Sequence, residues 1–203
     1  MRNTRILTIV EIALSVALSA VLNMLALRLP FNFAGGSISL TMLPVAVLAL
    51  RRGALPGVVA GALFGLLDLL MEPYILVPAQ VILDYPAPYL LFGLGVGLFA
   101  AAYRHVMQKA SETGRLTAFS LGSLVIILSM VTGGLMRYAS HVLSGVLFFA
   151  EYAKGQNVWV YSLVYNVSYL APSLLASMVC ALILLPVLEL AVPVRRKTSI
   201  RQG

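Results

Sequence analysis

The sequence predicts an all-α integral membrane protein with six transmembrane helices and both termini in the cytoplasm. Of its 203 residues 61% are hydrophobic, the mean hydropathy is +0.97, and only 10% are charged. A soluble domain carries about 25% charged residues, and a soluble fold of this size could not hide so much apolar surface. The apolar residues form continuous runs, which favour helices over the alternating strands of a membrane β-barrel.

The apolar runs have the length of membrane-spanning helices, because a bilayer core of about 30 Å needs about 20 helical residues. The predicted spans are 6–29, 37–50, 54–71, 83–103, 117–137 and 160–192. The second predicted span is shorter, and the last is longer, than the thickness of a bilayer core requires. Residues 138–150 are also apolar, and either extend the fifth helix or form a loop at membrane depth. The first run is too long for a cleaved signal peptide, and all 203 residues are expected to form one domain.

The distribution of lysine and arginine predicts the orientation. With the N-terminus inside, 11 of the 14 basic residues fall in cytoplasmic segments and 3 fall outside, which follows the positive-inside rule. The net charge of +7 does not indicate nucleic-acid binding, because the basic residues are sparse and lie between apolar runs. The single Cys180 excludes a disulfide within the chain.

Small residues recur at four-residue spacing in three predicted helices. In a membrane such residues let helix backbones approach closely. We interpret the glycine sets as internal packing positions. The positions are Ala13 and Ala17, then Gly57, Gly61 and Gly65, then Gly93 and Gly97.

Polar and aromatic residues collect in two segments on the predicted outer side, 72–86 and 137–169. In the first, Gln80 precedes Asp84 by one helical turn. In the second, Arg137 and His141 share a helical face by the same spacing. Tyr161, Tyr165 and Tyr169 form an aromatic stripe, and Asn166 lies beside it.

Two interpretations of these tyrosines remain open. Tyrosine and tryptophan form belts at membrane interfaces without any ligand. A belt does not explain a carboxylate, an amide and an imidazole gathered with the rings on one side. Such a set suits a flat, cationic, nitrogen-rich organic molecule, because the rings stack on it and the carboxylate supplies the counter-charge.

Several chemistries lack a sequence signature. The chain has no phosphate-binding loop of the type G-x-x-x-x-G-K-[ST], and no cysteine or histidine set that indicates a metal site. A membrane enzyme using His141 and Ser144 is conceivable, but no glycine-flanked nucleophile motif supports it. A passive structural subunit is a further alternative. We expect no enzyme activity and no cofactor.

At these residues the sequence resembles the thiamine-specific substrate-binding (S) components of energy-coupling-factor (ECF) vitamin transporters, over nearly the whole chain. The segment 35–44 and Arg51-Arg52-Gly53 are similar to the general S-component pattern. The segments 80–86 and 161–169, together with His141 and Gly145, are similar to the thiamine branch.

The resemblance implies a six-helix fold with an extracytoplasmic thiamine pocket, in the cell membrane of a prokaryote. Phe31 and Phe33 would belong to a lid after the first helix. Phe149 stands where a tryptophan is expected, and Asp84 where the family carries an acidic group. The implied substrate-binding residues are Asp84, Tyr85, Arg137, His141, Gly145, Phe149, Tyr161, Asn166, Tyr74 and Gln80.

The resemblance also implies partners. Ala13 and Ala17 match the motif by which S components dock on a membrane coupling subunit, which works with two cytoplasmic ATPases. The missing phosphate loop agrees with energy supplied by another chain. The alternative within this architecture is another flat heterocycle, either riboflavin or the pyrimidine moiety of thiamine.

Overall fold

The computed structural model describes residues 4–28, 36–109 and 114–191, and these ranges are almost entirely helical. The elements, in chain order, are α1 (Thr4–Met24), β1 (Leu27–Arg28), β2 (Ser37–Ile38), α2 (Met42–Arg52), α3 (Ala54–Met71), α4 (Pro78–Asp84), α5 (Pro86–Gly97), α6 (Ala100–Gln108), α7 (Arg115–Phe148), a 3-10 helix (Ala150–Ala153) and α8 (Val158–Ala191).

Five stretches of the described chain are long and apolar enough to cross a membrane, which confirms the helical membrane class. They are Arg5–Met24, Ala54–Met71, Pro78–Gln108, Leu116–Phe148 and Val158–Glu189. The long α7 confirms the alternative in which residues 138–150 extend the fifth helix. The last span is one helix that contains Pro172 and Pro186.

The second predicted span, 37–50, is not a full-length helix. Its helical part, α2, has 11 residues, which at 1.5 Å per residue is about 16 Å, roughly half a bilayer core. Pro44 is tolerated in its first turn, and Gly53 ends it with φ of 108°, a conformation that favours glycine. Ser37 and Ile38 are strand rather than helix.

The first span also ends earlier than predicted. α1 stops at Met24, and a turn closed by the bond from the Ala26 amide to the Asn23 carbonyl leads into β1. There Leu27 pairs with Ile38 in an antiparallel ribbon. The ribbon satisfies backbone groups of an apolar segment, so hydrophobicity alone could not distinguish it from helix.

The fourth span is longer than predicted and is divided. It starts at Pro78 rather than residue 83, and it breaks after Tyr85 because Pro86 lacks an amide donor. Asp84 is therefore the last residue of α4 and not the beginning of the span.

The glycine positions of α3 and α5 lie where the two helices touch. A Cβ atom added at Gly61 would lie 2.1 Å from the Tyr89 carbonyl oxygen, and one at Gly65 would lie 2.2 Å from that of Tyr85. A Cβ at Gly93 would lie 2.2 Å from the Gly57 carbonyl oxygen. The predicted packing role of these glycines is confirmed.

The apolar core surrounds α2, which is buried through most of its length. Around Val45, Ala49 and Leu50 pack residues of α5 to α8, including Phe92 and Ile126. At the end of α2, Arg52 pairs with Glu11 of α1, and Arg51 pairs with Glu189 of α8 at 2.7 Å. The first half of α1 and the end of α8 therefore meet at one end of the bundle.

Candidate functional site

A cavity of about 170 Å³ opens at the other end of the bundle, where α1 and α3 end and α5 and α8 begin. Its lining includes all ten residues that the sequence predicted as substrate-binding. They are Tyr74, Gln80, Asp84, Tyr85, Arg137, His141, Gly145, Phe149, Tyr161 and Asn166. Segments far apart in the chain thus supply one concave site.

Asp84 and His141 form the polar centre of the cavity wall. The Asp84 carboxylate lies 3.6 Å from His141 Nδ1, and both side chains are largely buried. His141 Nε2 has no hydrogen-bond partner among the described residues. A buried polar atom without a partner is costly, so this nitrogen has hydrogen-bonding capacity that the described residues do not use.

Gln80 holds Asp84 in place. Its Nε2 donates to Asp84 Oδ2 at 2.6 Å and to the Tyr74 carbonyl at 3.1 Å, while its Oε1 accepts from the Leu76 amide at 3.1 Å. The side chain is only 1% exposed. With its amide fully used in this way, Gln80 orients the carboxylate and the loop before α4.

Tyr85 fixes the same loop from the other side. Its hydroxyl donates to the Glu72 carbonyl at 2.9 Å and accepts from the Tyr74 amide at 2.7 Å. Both bonds use backbone groups, so they anchor the loop irrespective of its side chains. The Tyr85 ring then lines the cavity with its polar end already satisfied.

Two groups of aromatic rings line the cavity. Along α8 the rings of Tyr161 and Tyr165 stack at 5.9 Å, and Tyr169 follows edge-on to Tyr165 at 5.8 Å, which confirms the predicted stripe. In the second group the Phe149 ring stacks on Tyr74 at 6.0 Å. These faces can hold a flat molecule between them.

The mouth of the cavity is bridged by a tyrosine pair. The hydroxyls of Tyr74 and Tyr152 are hydrogen-bonded to each other. That hydrogen bond raises the pKa of Tyr74 to about 12, and partial burial is a smaller cause of the increase. The hydroxyl group is therefore neutral at physiological pH. The bridge joins the loop before α4 to the 3-10 helix after α7.

Asn166 is held within the wall of the cavity. Its Nδ2 donates to the Ser162 carbonyl at 2.9 Å, and its Oδ1 accepts from the Tyr169 hydroxyl at 2.8 Å. Gly145 makes this packing possible, because a Cβ there would lie 2.2 Å from Ser162 Oγ. The amide is thus oriented before any ligand binds.

Sequence reasoning missed a second carboxylate at the inner end of the cavity. Asp68 of α3 accepts hydrogen bonds from Asn23 at 2.7 Å and from the Tyr89 hydroxyl at 3.2 Å. All three line the cavity. Asp68 is an acidic residue inside a predicted span, which by itself indicates function.

The comparisons with known proteins decide the family. A model of the family described as "Thiamine transporter protein" matches residues 9–192. The thiamine transporter ThiT of Bacillus subtilis is 34% identical over 185 residues, 90% of this chain and 91% of the relative. The chain belongs to the thiamine transporter family.

Further relatives of this thiamine transporter family agree. ThiT of Lacticaseibacillus paracasei is 38% identical over 130 residues, 62% of this chain and 61% of the relative. A solved structure of ThiT from Listeria monocytogenes superimposes with a TM-score of 0.75 at 30% identity. That match covers 94% of this chain and 97% of the other.

Membership of a transporter family sets aside the enzyme alternative. Ser144, its proposed nucleophile, is buried, and its hydroxyl has no hydrogen-bond partner in the part of the chain that the structure describes. The same ranges contain no group of three metal-binding side chains.

One predicted feature, the docking pair on α1, does not line the cavity. Ala13 and Ala17 are exposed on α1, beside Leu14 and Leu18, which are more than half exposed. Phe31 and Phe33, the predicted lid residues, lie outside the described residues.

Proposed function

We propose that this chain binds thiamine in the cavity between α3, α5, α7 and α8 and serves in its uptake. The observation that supports this most strongly is the composition of the cavity wall within a thiamine transporter family. Thiamine is a permanent cation with two flat rings. Among the described residues the wall includes the carboxylates of Asp68, Glu72 and Asp84 and the guanidinium of Arg137, together with several aromatic rings.

The polar centre suits the aminopyrimidine ring of thiamine. Asp84 accepts from an exocyclic amino group, and His141 Nε2 is the unpartnered nitrogen beside it. The rings of Phe149 and Tyr161 flank that position and contribute stacking and cation–π attraction. The smaller ring of Phe149 keeps an aromatic face where the resemblance implies a tryptophan.

Binding to the purified protein tests the proposal directly. Titration calorimetry in detergent is expected to give saturable thiamine binding at micromolar concentration or below, without any partner subunit. The panel includes riboflavin and the isolated aminopyrimidine of thiamine, since both represent the alternative ligands. Absence of heat with thiamine, or tighter binding of riboflavin, would overturn the assignment.

We propose six passes across the membrane, with α2 and its extended lead-in as the second, and with both termini and the Arg51–Arg52 end in the cytoplasm. The cavity then faces outward. The placement of Arg104 and Lys109 away from the cavity supports this through the positive-inside rule.

Cysteine labelling tests this topology. In a Cys180→Ala background, Gln156→Cys is expected to react with an impermeant thiol reagent in intact cells. His105→Cys is expected to react only after permeabilisation, and the reverse pattern would invert the topology.

We propose further that α1 docks on an ECF coupling subunit in the cell membrane, which is driven by two cytoplasmic ATPases. The exposed Ala13 and Ala17 support this, because small residues permit close helix contact within the lipid. Ala17→Leu is expected to abolish thiamine uptake by cells while purified protein still binds thiamine. Ile6→Leu, also exposed on α1, is the control. Unimpaired uptake by Ala17→Leu would exclude this contact.

A further inference from the structure

A carboxylate and a guanidinium share the inner end of the cavity without forming a direct ion pair. Arg137 Nη2 donates to the Tyr89 hydroxyl at 3.1 Å, and that hydroxyl donates to Asp68 Oδ2 at 3.2 Å. Asn23 completes the chain by donating to Asp68 Oδ1 at 2.7 Å. Four helices, α1, α3, α5 and α7, each supply one residue.

Arg137 is a difficulty for a site that takes a cation. It is 94% buried, lines the cavity, and lies over the Tyr89 ring with its central carbon 4.2 Å from the ring centre. Its Nε and Nη1 have no partner among the described residues. Away from water its charge is poorly screened, and it would repel a cationic ligand unless an anion balanced it.

Asp68 is placed to supply that balance. Its Oδ2 accepts from the same Tyr89 hydroxyl to which Arg137 donates, so one neutral side chain links the two charged groups. With these two charges offset, Asp84 remains in the cavity wall as the carboxylate beside His141.

We propose that Asp68 is a specificity-determining positioning residue, which offsets the charge of Arg137 through Tyr89 and so makes the cavity selective for a cation. This rests on the proposed function, since thiamine is the cation concerned. Asp68 acts on the ligand through the field in the cavity and through Arg137, and it does not need to touch the ligand.

The test compares thiamine with its thiophene isostere, in which a neutral carbon replaces the positively charged ring nitrogen. The two molecules have nearly the same shape, so the ratio of their binding affinities, thiamine over isostere, reports charge recognition. Asp68→Asn is expected to weaken thiamine binding about tenfold or more. Binding of the neutral isostere is expected to change by less than about threefold, because only a charge–charge term is lost.

Two variants separate charge from structure. Asp68→Glu keeps the charge, and Asn23→Ala removes a hydrogen bond to Asp68 without changing any charge. Both are expected to keep the wild-type ratio, whatever they do to stability. If the affinity ratio fell in Asn23→Ala as it does in Asp68→Asn, the loss of selectivity would be due to packing and not to charge. That result would overturn the proposal.

The double variant Asp68→Asn/Arg137→Gln restores the charge balance. It is expected to recover the thiamine-to-isostere ratio that Asp68→Asn loses, and it remains informative where Asp68→Asn alone does not fold. A ratio that stayed low in the double variant, or an unchanged ratio in Asp68→Asn, would refute the proposal. Failure of the wild-type chain to bind thiamine is a separate result, which would refute the proposed function itself.

Discussion

At the scale of single residues, neutral polar neighbours hold three charged groups of the cavity, those of Asp84, Asp68 and Arg137. Gln80 orients Asp84, and Tyr89 joins Asp68 to Arg137. Such fixed neighbours reduce the reorganisation needed when a ligand arrives. The neutral residues are therefore as much part of the site as the charges they orient.

The first prediction concerns Asp84. Asp84→Asn keeps the shape and still accepts from Gln80, but it removes the negative charge nearest His141. Thiamine binding is expected to weaken more than about tenfold, or 1.4 kcal/mol, in calorimetric titration. Asp84→Glu keeps the charge and serves as the control. An Asp84→Asn variant with wild-type affinity would remove the carboxylate from ligand recognition.

The residues of the cavity were predictable where a local pattern marked them, as with the tyrosines at spacing four and the pair Gln80 and Asp84. Asp68 and Tyr89 carry no such pattern. Their partnership depends on α3 and α5 meeting at glycines, which is a tertiary contact. Spacing along one helix could not reveal which residue of another helix faces it.

At the scale of elements, the contact between α3 and α5 positions two residues of the cavity wall, Asp68 and Tyr89. The glycines of α3 let the α5 backbone approach, and α5 begins just after Tyr85 and carries Tyr89. Without side chains between them, the helices bring Asp68 within hydrogen-bonding distance of Tyr89.

The second prediction tests this contact. In Gly61→Ala the new methyl group meets the Tyr89 carbonyl oxygen at 2.1 Å, and a backbone atom cannot rotate away. Overpacking of this kind costs about 1–3 kcal/mol. We expect a lower thermal midpoint in detergent and weaker thiamine binding, because Tyr89 moves. The control is Leu66→Ala, which is exposed on the same helix; an equal loss in both variants would contradict the prediction.

The long helices were predictable because continuous apolar runs of sufficient length dominate their sequences. α2 and the ribbon of Leu27–Arg28 were not. α2 is buried by its neighbours rather than by lipid, so its length does not follow the thickness of the bilayer. The ribbon depends on a tertiary contact, because Leu27 and Arg28 pair with Ser37 and Ile38 about ten residues further along the chain.

At the scale of the whole molecule, the bundle has a packed half around α2 and an open half around the cavity. The packed half is closed by two ion pairs that hold α1 and α8 to the end of α2. The cavity therefore lies apart from the cluster of buried apolar side chains around α2.

The third prediction separates the two ion pairs by their burial. The Glu189 side chain is 7% exposed and that of Glu11 is 32% exposed. Glu189→Ala removes the more buried carboxylate, whereas Glu11→Ala breaks a pair that is about one-third exposed and worth about 0–1 kcal/mol. Because water screens a buried interaction less than an exposed one, thermal unfolding in detergent is expected to show a larger loss for the first variant than for the second. Equal midpoints for the two glutamate variants would show that the packed end is held by apolar contacts and not by its charges.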